Sequence, residues 1–241
     1  MSGFIDLHLH IVPSVDDGVR SLDESLAVCR GLKQLGFDHL VTTPHIRSGM
    51  FENRKASLTQ AFQEFLAHAA GQPGMPALSL SAEHHCDALF LELFQRGELL
   101  PYPGGRALLL EFANESLPLG IQDLAFKLRL KGLTPVVAHP ERYVPLFKRT
   151  DPIDALLEQD VAFQLDLMAL VGKYGRHARN AAERMLEEGV YAIAASDCHR
   201  PDDLARTQEA LERLVQLVGK NEAQLLLADN PARLLAGKAV Q

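Results

Sequence analysis

The chain of 241 residues has little of what marks several large protein classes. Its three cysteines, Cys29, Cys86 and Cys198, are odd in number and widely spaced, which argues against a disulfide framework and fits a reducing cytoplasm. No apolar run reaches membrane-spanning length, and the start of the chain lacks an export signal. The net charge of -7 argues against a general nucleic-acid binder. We therefore expect a cytoplasmic protein without membrane insertion or nucleic-acid binding.

The cysteines also exclude one catalytic mechanism. A cysteine-dependent phosphatase carries an arginine six positions after its nucleophile, in the loop that holds the phosphate. The residues six positions after the three cysteines are Leu35, Glu92 and Leu204. A cysteine nucleophile of this kind is therefore absent.

Short apolar, β-rich runs alternate with helical patterns along the whole chain. The runs lie near Phe4–Leu9, His39–Thr43, Ala77–Ala82, Ala107–Phe112, Thr134–Ala138, Val161–Leu167 and Val190–Ala195. The first helix begins at a capping box, Ser21 with Glu24, and the others are expected near Glu52–Ala70, Cys86–Arg96, Leu119–Leu130, Pro152–Gln159, Tyr174–Glu188 and Asp203–Val218. This alternation predicts an α/β fold, a parallel barrel with a C-terminal helical tail, in one domain over residues 1–241.

Histidines and carboxylates collect at the ends of these apolar runs. They are His8, His10, His45, Glu83, Glu111, His139, Asp166 and Asp197. The carboxyl ends of all strands in a parallel barrel meet on one face, so these groups are expected to be neighbours in space. His39, His68 and His177 fall elsewhere, and either His84 or His85 could reach the site or belong to the following loop.

The densest cluster opens the chain, with Asp6, His8 and His10 followed by Asp16 and Asp17. Two histidines at positions i and i+2 of a strand aim their rings to the same side, which suits one bound ion. Imidazole nitrogens and carboxylate oxygens together suit Mn, Fe or Zn. Metal-dependent hydrolysis is the leading interpretation.

Four segments carry a resemblance to a known superfamily. Residues 6–18, from Asp6 to Gly18, resemble the first motif of the polymerase-and-histidinol-phosphatase (PHP) superfamily. The segments 43–51, 139–143 and 196–199 are similar to those of bacterial manganese-dependent protein-tyrosine phosphatases, which accompany the tyrosine kinases of capsule and exopolysaccharide synthesis. The resemblance spans nearly the whole chain with its motifs in order.

The resemblance implies a distorted seven-stranded barrel, (β/α)7 and TIM-like, that holds three divalent metal ions. Manganese is the expected metal, with Fe, Zn, Co or Mg as alternatives. The implied ligands are His8, His10, Glu83 and Asp197 for the first ion, Glu83, Glu111 and His139 for the second, and Asp17, His45 and His199 for the third. Asp16 competes with Asp17 for the ligand position. Asp17 has the spacing that fits the family, which would leave Asp16 to orient the loop.

The implied reaction is attack of a metal-bridged hydroxide on the phosphorus of a phosphotyrosine protein, expected to be an autophosphorylating tyrosine kinase. Arg142 is the first candidate for a phosphate clamp, and Arg47 and Arg200 are weaker ones. Relatives carry a further arginine near the position of Leu204, where Arg200 or Arg206 would have to substitute.

Other interpretations share the same residues. A small-molecule phosphatase, such as one for histidinol phosphate, could use the same site. An amidohydrolase also begins with His-x-His, but it usually bridges its metals with a modified lysine, and here Glu83 and Glu111 occupy the matching strand ends. A non-enzymatic regulatory barrel would be favoured by an incomplete ligand set. The Leu-rich tail could pack on the barrel or mediate self-association, so an oligomer stays open.

Overall fold

The computed structural model describes residues 3–240 and forms an α/β fold with parallel sheets. The strands are β1 (Phe4–Asp6), β2 (Phe37–Thr42), β3 (His45–Ile46), β4 (Ala77–Leu80), β5 (Glu83–His85), β6 (Ala107–Glu111), β7 (Thr134–Ala138), β8 (Ala162–Asp166) and β9 (Ile193–Ala195). One sheet has the order β1-β2-β4, and the other has the order β3-β5-β6-β7-β8-β9. Met1, Ser2 and Gln241 lie outside the described residues, and the expected single domain over residues 1–241 stays a prediction.

The helices are α1 (Leu22–Gln34), α2 (Lys55–Ala69), α3 (Ala88–Arg96), α4 (Ile121–Leu130), α5 (Asp154–Leu157), α6 (Gly175–Glu187), α7 (Asp203–Gln224) and α8 (Asn230–Leu235). Ser21 caps α1 as expected, with its hydroxyl accepting a hydrogen bond from the backbone N–H of Glu24, whereas the Glu24 carboxylate accepts from the backbone N–H of Arg20 and not of Ser21. Helix α2 begins three residues later than predicted, because Arg47 and Phe51 pair with each other and close a turn ahead of it.

Strands β3 and β5 lie beyond the predicted runs near His39–Thr43 and Ala77–Ala82, and they belong to the second sheet. Residues 43–44 separate β2 from β3, and residues 81–82 separate β4 from β5. Pro44 has no backbone N–H to donate to a ladder, which accounts for the first break. The backbone N–H of Glu83 instead bonds to the carbonyls of Thr43 and Pro44, at 3.3 and 3.2 Å.

The strands do not close into one continuous barrel ladder. The first strand ends at Asp6 rather than at Leu9, because the residues after Asp6 form only single backbone hydrogen bonds to the segments that follow β2 and β9. Thr43 N–H donates to the Leu9 carbonyl at 2.8 Å, and Asp197 N–H donates to the His8 carbonyl at 2.9 Å. A single parallel bridge joins Leu9 to Cys198. Strands β1 and β9 are therefore neighbours across a seam without a regular ladder.

Both sheets nevertheless face a common interior. A buried apolar cluster joins residues of the two sheets, namely Val41, Leu109, Val136, Ala162 and Ile193. Their neighbours Leu40, Leu108 and Leu110 belong to a larger cluster that includes the helices. This alternation puts one side of each strand into the interior and the other against the helices.

The C-terminal tail packs on the seam. Helix α7 has a non-helical residue, Gly219, and is followed by a π-helical turn over Leu225–Asp229, which contacts β1 and β9. Leu226, Leu227 and Leu234 are buried there. Across the described residues, every helix is too short or too polar to traverse a membrane.

Candidate metal centre

The strand ends bring the predicted ligand groups together. His8 and His10 follow β1, His45 opens β3, Glu83 opens β5 and Glu111 ends β6. His139 directly follows β7, and Asp197 lies two residues beyond β9. His139 and Asp197 have positive φ angles, 37° and 49°, which non-glycine residues rarely adopt. Such backbone strain is typical of functional sites and turns both side chains inward here.

His8 and His10 meet two carboxylates in the interior. His8 Nε2 lies 3.2 Å from Glu83 Oε2 and 3.3 Å from Asp197 Oδ1. His10 Nε2 lies 3.6 Å from the same Glu83 oxygen, 3.4 Å from the same Asp197 oxygen and 3.3 Å from His8 Nε2. Tetrahedral ligand atoms bound at 2.0–2.2 Å stand about 3.4 Å apart, so the spacings within the group of His8, His10 and Asp197 suit one transition-metal ion, and Glu83 contacts the same two histidines from a neighbouring group.

The donor atoms also lack other partners. Glu83 Oε2 and Asp197 Oδ1 are buried and accept no well-formed hydrogen bond from the described residues. A buried carboxylate oxygen without a hydrogen bond is costly unless it coordinates a cation. The residues present therefore fit a metal ion.

Glu83 is shared between groups of ligands. Its Oε1 atom lies 3.0 Å from His139 Nε2, and its Oε2 atom lies 3.0 Å from His45 Nδ1. Glu111 is 4.0 Å from His45 Nδ1, and its Oε2 atom bonds to His85 Nδ1 at 3.1 Å. Glu83 therefore belongs to two groups of possible ligands. One contains His8 and His139, and the other contains His45 and Glu111.

The third group lies at the more open side. Asp17 Oδ1 is 3.5 Å from His45 Nε2 and 3.6 Å from His199 Nε2. The His10 ring stacks on His199 with centroids 4.1 Å apart, and its ligand atom belongs to the same group. The Asp17 side chain is 56% exposed, so this group is reachable from solvent.

Three groups behind the histidines fix their orientation. Asp16 Oδ2 lies 2.7 Å from His10 Nδ1 and accepts the backbone N–H of His45. The Gln164 side-chain oxygen lies 2.7 Å from His8 Nδ1. Asp6 Oδ1 accepts the N–H groups of His8 and Ser196, which joins the two edges of the seam. Partners of this kind leave Nε2 of each ring free to face a metal.

The protein's own charges compensate one another at the cluster. Burial lowers the pKa of His8, but Glu83 and Asp197 outweigh burial and raise that pKa to about 10. Burial raises the pKa of Glu83, yet His8 and His45 hold that pKa well below its usual value. Divalent cations would replace the imidazole protons, since ligation needs neutral histidine.

A cleft of ≈ 350 Å³ opens beside the cluster. It is lined by Asp17, Arg142, Lys173, Tyr174, Asp197, His199, Arg200 and Asp203. Arg142 Nη1 donates to Asp197 Oδ2 at 2.9 Å, and its guanidinium lies 4.5 Å from the centre of the Tyr174 ring. Arg200 Nη2 donates to the Asp17 carbonyl at 3.1 Å. Arg47 belongs to the turn that carries Phe51, whose ring stacks on His45.

Some of these neighbours were not identified from the sequence, namely Gln164, Lys173, Tyr174 and Glu141. Glu141 lies within the motif of residues 139–143 but was given no role there, and the other three carry no motif, so only their position within and after β8 could have drawn attention to them. His85 reaches Glu111, whereas His84 turns away and bonds to the backbone of Leu109 and Leu100. His84 therefore lies in β5 as a buried core residue, neither in the site nor in the following loop.

Behind Arg142, Glu141 is buried and forms no salt bridge with the described residues. Its Oε1 atom accepts the backbone N–H of Asp166, and its Oε2 atom lies 2.9 Å from the Tyr191 hydroxyl. Burial, reinforced by the Asp166 carboxylate, raises the pKa of Glu141 to about 8. A protonated Glu141 can donate to Tyr191, whose hydroxyl hydrogen can then turn to Met185 Sδ, 3.4 Å away.

We predict that Glu141→Gln removes a pH dependence of stability. An acid with a folded pKa near 8 and an unfolded pKa of 4.5 keeps its proton only in the folded state between those values, so wild-type stability falls as pH rises through this window. The amide cannot ionise. The variant should gain roughly 2–4 kcal/mol over wild type between pH 5 and pH 8. Urea unfolding of both proteins at the two pH values measures the gain, and a constant difference would contradict it.

Comparison with known proteins agrees with the site. The family model described as capsular polysaccharide synthesis, CpsB/CapC, matches residues 4–236. Tyrosine-protein phosphatase YwqE of Bacillus subtilis is 28% identical over 98% of this chain and 93% of its own. Tyrosine-protein phosphatase CpsB of Streptococcus pneumoniae is 26% identical over 98% of this chain and 100% of its own.

Solved structures are also similar to this chain. A crystal structure from work on YwqE and CpsB, described as unique metal-dependent tyrosine phosphatases, superposes with a TM-score of 0.89 at 26% identity, covering 98% of this chain and 97% of that one. A prolidase bound to N-methylphosphonate-L-proline covers 99% of this chain and 75% of its own with a TM-score of 0.59. Its identity is 13%, so that likeness concerns the fold alone.

Proposed function

Because the chain belongs to the CpsB/CapC family of capsular polysaccharide synthesis, we propose that it is a metal-dependent phosphatase that hydrolyses phosphotyrosine in a protein substrate. The observation that carries the proposal is that Glu83 and Asp197 both contact the His8 and His10 rings, beside a cleft that contains Arg142. Relatives that cover nearly the whole chain are named tyrosine-protein phosphatases, which supports the substrate class. The expected protein substrate is an autophosphorylating tyrosine kinase, and the expected location is the cytoplasm.

We assign three divalent ions, with manganese as the native metal, to this centre. The first would be held by His8, His10, Glu83 and Asp197, the second by Glu83, Glu111 and His139, and the third by Asp17, His45 and His199. The short distances within the first and third sets support the assignment. The second set requires Glu111 to move from His85 toward His139. Asp16 would position His10 rather than bind metal, because its Oδ2 atom is engaged by His10 Nδ1.

We also propose that the two sheets are one distorted barrel of seven strands. Strands β2 and β3 would count as one interrupted strand, as would β4 and β5. The shared interior cluster and the bridge between Leu9 and Cys198 support this interpretation. All ligand-bearing ends then surround one rim, as in other βα barrels.

The residues of the site would have distinct roles in phosphate hydrolysis. The bound cations would supply an activated water and offset charge on the phosphate. Arg142 would bind the phosphoryl oxygens, since one of its five N–H donors bonds Asp197 and others remain for the cleft. The Tyr174 ring packs against the guanidinium of Arg142 in a cation–π contact. Arg200 and Arg47 are secondary candidates, because Arg200 borders the cleft and Arg47 lies on the turn next to His45.

The leaving group favours tyrosine over serine. A phenol has a pKa near 10, so the phenolate departs with little help from a general acid. Within the described residues, every protonatable side chain that lines the cleft is already bonded to a neighbour or belongs to the proposed ligands. A substrate that leaves as a stable anion suits such a site.

A side-by-side assay tests the proposal. Purified protein with added manganese should hydrolyse phosphotyrosine peptides at least about tenfold more efficiently, by kcat/KM, than histidinol phosphate, and chelator should abolish both activities. A preference for histidinol phosphate would support the small-molecule alternative. Absence of turnover on both compounds with metal bound would support a regulatory, non-enzymatic barrel.

A further inference from the structure

Among residues 3–240, Lys173 is the one lysine whose side chain lines the cleft. It follows a 3-10 turn, Leu167–Val171, which leaves the carboxyl end of β8. Its side chain is only 19% exposed, unlike an ordinary surface lysine, so its position is fixed by its neighbours.

One carboxylate holds this lysine to the metal-binding loop. Lys173 Nζ lies 3.1 Å from Asp203 Oδ1. The other oxygen of Asp203 accepts the backbone N–H groups of His199 and Arg200, at 3.0 and 3.3 Å. Lys173 is therefore positioned by the same side chain that shapes the loop of a proposed ligand, His199.

Tyr174 brings the lysine next to Arg142. The Lys173 ammonium lies 5.5 Å from the centre of the Tyr174 ring, and the Arg142 guanidinium lies 4.5 Å from the same centre. The ring thus supports two cations at once, both on the wall of the cleft. Paired cations on one wall are the arrangement that a dianion would bind.

The ammonium has a donor to spare. It carries three N–H groups, of which one faces Asp203 and one faces Met168 Sδ, a weak acceptor 3.6 Å away. Lys173 lines the cleft, so the third donor can reach an anion bound there.

Three nearby residues are less well placed than Lys173 to bind phosphate. Leu204 packs against α1 instead of the cleft, since a Cβ on Gly31 would lie 2.3 Å from its Cδ1 atom. Arg206 is exposed on α7 and is not among the lining residues. The guanidinium of Arg200 is bonded to the Asp17 carbonyl.

We propose that Lys173, held by Asp203 and Tyr174, is a second phosphate-binding residue that acts together with Arg142. The inference rests on the proposed phosphatase function and adds a specificity for dianionic phosphate monoesters to it. A phosphate diester, with one charge fewer, would gain less from the second cation.

The test is a titration of inorganic phosphate into the manganese-loaded protein. Lys173→Met keeps most of the apolar stem and removes the charge, so phosphate affinity should fall by about tenfold or more, as for the loss of a charged hydrogen bond. Lys173→Arg should restore affinity to within about threefold. The control Lys220→Met, at an exposed position of α7, should bind phosphate like wild type.

Metal content and thermal unfolding separate a binding role from a structural one. Lys173→Met should retain the wild-type number of bound ions and its melting temperature to within a few degrees. Wild-type phosphate affinity in this variant would overturn the proposal, as would a loss of affinity that merely follows loss of metal. Lack of turnover by wild type on phosphotyrosine peptides would reject the phosphatase function, whereas the phosphate titration decides on Lys173 independently.

Discussion

Replacing Glu83 by glutamine is expected to lower kcat for p-nitrophenyl phosphate by more than about 100-fold, because the loss of a ligand should exceed the 10–100-fold effect of losing a group that only supports a ligand. Glu83 is fully buried, and its two oxygens face different histidines. An amide nitrogen in place of either oxygen would point a donor at the metal position. The variant should therefore also bind fewer metal ions per chain.

Three measurements check this prediction together: turnover, metal content by elemental analysis, and the circular dichroism spectrum. Glu209→Gln, the same substitution at an exposed position of α7, is the matched control and should behave like wild type. A folded Glu83→Gln protein with wild-type turnover would remove Glu83 from the metal centre.

Replacing Arg142 by alanine is expected to lower kcat/KM by roughly 10²–10³-fold, the range found when one donor to a developing charge is lost. The Arg142 side chain is 20% exposed and pairs with the Asp197 oxygen that faces away from His8. The proposed first metal position lies on the other oxygen of Asp197. Metal content should therefore stay close to that of wild type, which distinguishes this variant from Glu83→Gln.

Arg142→Lys provides the matched comparison. A lysine restores the charge but not the planar fork, so it should recover part of the activity and leave a higher KM than wild type. Wild-type kinetics in Arg142→Ala would transfer the phosphate clamp to Arg200 or Arg47. Loss of metal in proportion to activity would show that Arg142 acts only by positioning Asp197.

The part of the site that lies at strand ends could be predicted from the sequence. The pair His8 and His10, the single Glu83 and the Asp197 after the last strand each follow an apolar run, and a parallel fold brings such positions to one rim. Chemical type then narrows the role, because buried imidazoles and carboxylates in one place suit a transition metal. These residues could be found because strand periodicity and ligand chemistry point to the same positions.

The residues that support this site could not be found in the same way. Gln164 lies in the middle of β8 and looks like an ordinary polar residue until the fold sets it beside His8. Lys173 and Asp203 are 30 positions apart in sequence and meet only because α7 follows the loop of His199. Their roles depend on long-range packing, which local patterns do not encode.

The broken strands are a further example. Apolar runs predict where a strand exists, but pairing depends on which backbone N–H groups are available. Pro44 lacks one, so the second strand stops before the motif that contains His45 and resumes in a different sheet. The interruption allows His45 to reach both Glu83 and Asp17 from a strand of two residues. The same break prevents the regular closed ladder that strand counting suggests.

Metal reconstitution of the wild-type protein tests the central claim most directly. The protein would be stripped with chelator, titrated with manganese, and followed by bound metal per chain and by turnover of a phosphotyrosine peptide. The account predicts that turnover is absent without metal and rises with occupancy as the bound metal approaches three ions per chain. Undiminished turnover in protein that elemental analysis shows to be free of transition metal would contradict it.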